Sequence, residues 1–291
     1  MRHLCTQEAI DSFMTDCELR ELREATRSEY RRHLEYLSIS CPQLPPRKLG
    51  IIQEALINVK GGPYNRHSHW RTFRRFANYC VDTYGIENFM KGIRGPKLHQ
   101  KILPVLSEIE IGLLPVVLDA ESPRTKAIIV LLLDTGIRQG ELCTLKREDV
   151  TRFEDRIVVY GKTGYRMVPI SPIARELCLA LPIHKDGYLF HGTGRYKDTP
   201  LGKRGIYDTV RKILKRINWQ HDKKGAHTLR RSHGYHHLKD GGNAKSAQMI
   251  LGHADAAITM RYYAPYLIND VVEAHHKHTP GRVFEEEYER A

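Results

Sequence analysis

The sequence predicts a mainly α-helical protein carrying one small antiparallel β-sheet and split into two domains. Three observations lead there. The chain has 291 residues, enough for about two domains that each bury a core. Apolar residues recur at three- and four-residue intervals over most of its length, which is helical spacing. The period changes to strand-like only once, over Arg156–Tyr160 and Tyr165–Ile170.

Leu19, Leu22, Ala25, Tyr30, Leu34 and Leu37 predict one or two helices from about Glu18 to Leu37. Three prolines in Cys41–Gly50 break the pattern, a second helical stretch runs from Leu49 to Val59, and Gly61-Gly62-Pro63 stops it. A third helix is expected from about Asn65. In it Trp70, Phe73, Phe76, Ala77 and Cys80 form one face, while Arg66, Arg71, Arg74 and Arg75 fall largely on the other. Gly, Pro and basic residues without periodicity over Gly92–Lys101 mark an interdomain linker, set at 96–102, leaving 1–95 as the first domain. Ser107 followed by Glu110 reads as a capping box opening a helix, and Lys126–Asp134 reads as a buried one. The β-rich runs on either side of Gly161-Lys162-Thr163-Gly164 read as a hairpin. Helical patterns return after Ser171, apart from loops around 184–205.

Charge and composition narrow the function. There are 46 Lys and Arg against 34 Asp and Glu, a formal net charge of +12. The window Arg195–Lys245 alone holds fourteen basic residues against four aspartates. That density suits a phosphate backbone, whose neutralisation releases condensed counterions. The longest apolar run, Ala127–Leu133, has seven residues, far below the roughly 18 needed to span a bilayer, so no membrane partner is expected. Glu8 and Asp11 interrupt any secretory core near the start, which predicts a cytoplasmic, nucleoid-associated protein. Six scattered cysteines, without a C-x-x-C pair, predict neither a disulfide framework nor a zinc ribbon.

Three patches carry chemistry. In Thr135-Gly136-Ile137-Arg138-Gln139-Gly140-Glu141-Leu142, Gly136 is expected to end one helix and Arg138 to open the next. That would set a guanidinium fork beside helix-terminal N–H groups, with Glu141 placed to orient it. His227 and Arg230, three residues apart, would share a helical face. Leu251-Gly252-His253 precedes Tyr262 and Tyr263. Two arginines can balance a phosphodiester's charge, histidines can donate hydrogen bonds or move protons, and a tyrosine can attack phosphorus.

Together these patches resemble the tyrosine recombinase (phage integrase, Xer-like) family. Its T-G-x-R-x-x-E-L segment, hairpin G-K, H-x-x-R box, L-G-H box and a tyrosine nine residues beyond that histidine correspond in order to Arg138, Lys162, His227 with Arg230, His253 and Tyr262. The resemblance covers about 103–267; residues 1–95 resemble the family's helical core-binding domain only loosely. It implies a catalytic domain over 103–267 and a tail, 268–291, that is exchanged between protomers or, as the alternative, caps the protomer's own core. It implies a site-specific recombinase or integrase that cleaves and rejoins strands through a 3′-phosphotyrosine intermediate. Tyr262 would be the nucleophile, Lys162 the acid for the 5′-oxygen, Arg138 and Arg230 the holders of the non-bridging oxygens, His227 a proton acceptor and His253 a phosphate donor, with Glu141 supporting Arg138. No cofactor and no metal are implied. Adjacent Tyr263 competes for the nucleophile's place, since neighbours on a helix point about 100° apart; the spacing favours Tyr262. The sequence departs from the family after its box arginine, reading Arg231-Ser232-His233.

The expected partner is double-stranded DNA with paired inverted binding sites, on which four protomers assemble. Arg66, Arg71, Arg74 and Arg75 of the first domain and Lys203, Arg204 and Arg231 of the basic window are the expected contacts. Strand relaxation of the type IB topoisomerase kind and a non-catalytic DNA-binding factor are the alternatives. A metal role for His233, His236 and His237, or for His275, His276 and His278, is disfavoured because neither group has carboxylate or thiol partners at ligand spacing.

Overall fold

The apolar stripes of the first hundred residues pack against one another in a small helical bundle. The computed structural model describes residues 4–48, 50–98, 103–161 and 164–252, and the chain divides into two units, Met1–Lys101 and Ile102–Ala291. The first contains β1 (Leu4–Cys5), α1 (Thr6–Leu19), α2 (Glu24–Ser40), β2 (Gln43–Leu44), α3 (Gly50–Ile57) and α4 (Gly62–Tyr84). Ala9, Ile10, Phe13 and Cys17 of α1 pack with Leu34 and Leu37 of α2, Ile52 of α3 and Phe73, Phe76 and Cys80 of α4.

Three details differ from the sequence reading. The stretch expected to be helical from about Glu18 to Leu37 is α2, which starts at Glu24, and α1, over Thr6–Leu19, precedes it where no helix was expected. Glu21 then breaks the path with a φ of 52°, a conformation unusual for a residue with a Cβ. Helix α4 starts at Gly62 instead of near Asn65, with Pro63 in its first turn, where the missing N–H has no helical partner to lose. A second small sheet was not expected: β1 and β2 pair antiparallel, Leu4 opposite Leu44.

In the second unit the Ser107–Glu110 box opens α5 (Glu108–Asp119): Ser107 Oγ accepts from the Glu110 N–H, and Glu110 Oε2 accepts from the Ser107 N–H at 2.8 Å. Helix α6 (Pro123–Thr135) follows, then α7 (Gln139–Thr144), α8 (Arg147–Thr151), the hairpin β3 (Arg156–Gly161) and β4 (Gly164–Pro169), α9 (Pro172–Leu179), α10 (Lys203–Arg216), α11 (Ala226–Lys239) and α12 (Ala244–Leu251). Ala127, Ile128, Ile129, Leu131 and Leu132 bury α6 almost all round, between α9 and α11. The hairpin forms as expected, its strands shifted by one residue at three of their four ends, with Val159 opposite Arg166 and Gly161 opposite Gly164. Helix α10 begins at Lys203, so it takes the end of the expected 184–205 loop region. All six cysteines are free thiols. No helix among the described residues is long and apolar enough to cross a membrane.

Candidate active site

Gly136 is where the site begins. It ends α6 in the left-handed region, φ 58°, and a Cβ there would lie 2.7 Å from His233 Cδ2, so both conformation and space demand glycine. The chain then turns so that Arg138 is the residue before α7. Its backbone N–H donates to Glu141 Oε2 at 2.7 Å and its Nη1 to Glu141 Oε1 at 2.9 Å. Glu141 therefore holds both the start of α7 and the guanidinium beyond it.

Arg230 projects from α11 into the same place. Its Nη1 donates to the Gly136 carbonyl at 2.6 Å and its Nη2 to the Leu251 carbonyl at 2.5 Å, while Arg138 Nη2 donates to the Gly252 carbonyl at 2.6 Å. The two guanidinia thus rest on consecutive carbonyls at the C-terminal end of α12. Cations are favoured there, because the last carbonyls of a helix lack helical partners and carry its negative pole. Arg230 is buried, at 6% exposed, whereas the Arg138 side chain keeps 38% of its surface.

His227 lies in the first turn of α11, an exposed residue whose imidazole is partly desolvated. That desolvation, followed by the positive charges of Arg230, Arg231 and Arg138, lowers its pKa. A neutral imidazole close to guanidinium charges can accept a proton at neutral pH. Glu141 feels the reverse balance. Burial raises its pKa, but hydrogen bonds from Arg166 and from the Arg138 backbone outweigh that and hold it below the usual carboxylate value. It is therefore charged, at 2% exposure.

Arg166 was not among the residues singled out from the sequence. Its Nη1 and Nη2 donate to Glu141 Oε1 and Oε2 at 2.5 and 3.0 Å, a two-pronged pair of the kind guanidinium geometry favours. A lone arginine in a strand carries no spacing signal, and its carboxylate partner lies 25 residues away in the chain.

The structure brings together Arg138, Glu141, His227 and Arg230. Lys162, His253 and Tyr262, with Tyr263 and the tail 268–291, lie outside the described residues. Their neighbours do not: Gly161 and Gly164 flank the hairpin tip, and Gly252 sits under Arg138.

Of the expected DNA contacts, Arg71, Arg74 and Arg75 are exposed on α4, with Arg74 over the Trp70 ring and Arg75 over the Tyr30 ring. Arg66 is half-buried and donates to the Ile57 carbonyl. Lys203 and Arg204 are exposed at the start of α10, where Arg204 pairs with Asp208 at 3.0 Å. Arg231 donates to the Pro104 carbonyl and to Thr228 Oγ1. Among the described residues no three His, Cys, Asp or Glu side chains are grouped to hold a metal. His233, His236 and His237 instead bond the Leu133 carbonyl, the Leu106 carbonyl and Ser246 Oγ separately; His275, His276 and His278 lie outside the described residues.

The model of the phage integrase family matches residues 105–267, and the chain belongs to that family. Among curated relatives, tyrosine recombinase XerA of Pyrococcus horikoshii is 31% identical over 183 residues, 61% of this chain and 62% of that protein. The match thus spans about three fifths of that relative's length. Tyrosine recombinase XerD of Shewanella oneidensis is 30% identical over 222 residues, covering 72% of this chain and 73% of its own. The fold is similar to that of the XerH site-specific recombinase solved in a post-cleavage complex with a palindromic difH substrate, with a TM-score of 0.73, 21% identity and coverage of 88% of this chain and 81% of that one.

Proposed function

We propose that this chain is a site-specific DNA recombinase that cleaves and rejoins DNA strands through a 3′-phosphotyrosine intermediate. The observation that carries the reading is the seating of Arg138 and Arg230 on the consecutive carbonyls of Gly252 and Leu251. It fixes two positive forks side by side, immediately before His253 in the chain. Two anchored guanidinia suit the non-bridging oxygens of one phosphodiester, whose charge grows as phosphorus becomes five-coordinate.

In this reading the Tyr262 oxygen attacks phosphorus, and the bond from phosphorus to the 5′-oxygen breaks. Neutral His227 takes the phenolic proton, and Lys162 supplies one to the departing 5′-oxygen. The phosphotyrosyl ester conserves the bond, so attack by another 5′-hydroxyl reverses the steps and releases the tyrosine with neither nucleotide hydrolysis nor a metal. His253 donates to a phosphate oxygen, and Glu141 keeps Arg138 in place. The names of the relatives as tyrosine recombinases support this assignment. Four protomers on paired inverted sites, tails 268–291 exchanged between them, and action on the nucleoid in the cytoplasm complete the proposal.

The test starts by trapping covalent complexes on genomic DNA and building a nicked suicide duplex from the recovered site. The wild type should form a covalent adduct on a denaturing gel, and Tyr262→Phe should form none while binding the site within about twofold, because only one hydroxyl is lost. An adduct that survives Tyr262→Phe but not Tyr263→Phe would move the nucleophile. No adduct with the wild type would end the reading. On a plasmid with paired sites, recombination reorders sequence, whereas relaxation alone does not.

A further inference from the structure

The end of α6 leads into Arg138, and α11 holds that end at two points. Arg230 Nη1 donates to the Gly136 carbonyl. One turn further along the same face of α11, His233 Nδ1 lies 3.0 Å from the Leu133 carbonyl. That carbonyl is among those a helix end leaves without a helical partner, since the Gly136 N–H goes to Leu132 and the Ile137 N–H to Thr135 Oγ1. A carbonyl can only accept, so the ring carries its proton on Nδ1. Burial brings the His233 pKa down to about 4, which keeps the ring neutral, and Nε2 is buried with no hydrogen-bond partner among the described residues. The same ring packs on Gly136, where a Cβ would lie 2.7 Å from His233 Cδ2 and 3.0 Å from Leu251 Cδ2. The turn two residues before Arg138 is thus gripped by α11 on one side and α12 on the other.

We infer that His233 is a positioning residue for Arg138: by donating to Leu133 and packing on Gly136 it fixes the turn between α6 and α7, and with it the spacing of the Arg138 and Arg230 guanidinia. The inference rests on the reading under Proposed function, in which the two forks share one phosphate. Arg230 is tied to the same turn through Gly136, so slack there moves one fork relative to the other. A shift of about 1 Å can cost about a hundredfold in rate. The requirement is for a hydrogen-bond donor at one place: asparagine sets its amide nitrogen where Nδ1 lies, glutamine reaches only the place of Nε2, and phenylalanine keeps a ring without a donor.

The experiment measures single-turnover adduct formation at saturating protein on the nicked duplex built from the trapped site. The amplitude counts folded, active molecules and the rate constant reads their chemistry, so a purely structural role would lower the first and not the second. The inference expects His233→Phe and His233→Gln to react at least about tenfold slower, His233→Asn to stay within about threefold of wild type, and site affinity to stay within about twofold throughout. It also expects non-additivity: in an Arg138→Lys background, His233→Phe should cost no more than about a further threefold, because a residue that acts through Arg138 loses its effect once that fork is gone. Should the Arg138→Lys adduct form too slowly to follow, the order of the three His233 variants decides. An unchanged rate constant in His233→Phe, equal slowing in His233→Asn, a loss confined to affinity, or losses that multiply in full in the Arg138→Lys background would each overturn the inference. If the wild type itself makes no adduct, the proposed function fails; if the wild type reacts and His233→Phe keeps pace, only the role of His233 fails.

Discussion

His33 and His69 in the first unit and Glu141 and Arg230 in the second meet the same penalty for burying an ionisable group, and they resolve it in opposite ways. His33 is fully buried and His69 is 7% exposed, with ring centroids 3.8 Å apart. Thr72 Oγ1 gives its proton to the Ser68 carbonyl and bonds His33 Nδ1 at 2.9 Å, while Arg32 Nη2 lies 3.3 Å from His33 Nε2. A neutral imidazole, protonated on Nδ1 and accepting on Nε2, satisfies both. Burial, then the neighbouring His69, brings the His33 pKa down to about 4 against the weaker pull of Glu29, and burial lowers His69 as well. In the second unit the buried groups stay charged because each has charged or carbonyl partners on several sides. Burial alone does not decide ionisation; the partners do. The first unit keeps its buried histidines neutral, while the second keeps buried charge where, under the proposed function, a phosphate would be held.

The largest effect that would sharpen this contrast is Glu141→Gln. Removing the one carboxylate shared by two guanidinia should cost about 3 kcal/mol in urea unfolding, as breaking a buried ion pair usually does. A loss below about 1 kcal/mol would mean that solvent at Arg138 already compensates the charge, and the contrast would weaken.

Acid separates the two units next. The folded His33 value of about 4 lies below its ordinary 6.5, so its contribution is complete above pH 6.5, declines as pH falls towards 4 and changes no further below. That interval corresponds to about 3 kcal/mol. Glu141, held below its ordinary 4.5, contributes fully above pH 4.5 and loses its share only as pH falls through its lower folded value. The two tryptophans report separately, Trp70 from the first unit and Trp219 from the second. In a Trp219→Phe background, Trp70 fluorescence should show stability falling between pH 6.5 and 4.5, and His33→Leu should flatten that fall. A flat wild-type profile would break the comparison.

The smallest effect belongs to the surface. Arg204 has a side chain 80% exposed and pairs with Asp208, so Arg204→Ala should change stability by less than about 0.5 kcal/mol. As a phosphate contact it should lower the salt dependence of DNA binding by about one in slope, without changing the adduct rate.

Much of the second unit was legible because its chemistry comes in local clusters. Gly136, Arg138 and Glu141 lie within six residues, and His227 and Arg230 lie one helical turn apart. Capping and turn chemistry showed α5 and the hairpin for the same reason. What escaped depends on distant partners. Arg166 matters through residues 25 and 84 positions away. Helix α1 escaped because Cys5 before it makes no side-chain cap, although Ala9, Ile10, Phe13 and Cys17 form its buried stripe. The pairing of Leu4 with Leu44 is too short to leave a period.

The anchoring of Arg230 also bears on when the protein becomes able to react. Its two carbonyl partners lie 94 and 21 residues away, and the carbonyl that holds Arg138 is 114 residues distant. A nascent or half-unfolded chain has no means of seating both forks, since each waits for segments from opposite ends of the unit. Under the proposed function, the capacity to sever a strand would therefore appear only with the finished fold, sparing DNA from nicks made by incomplete molecules.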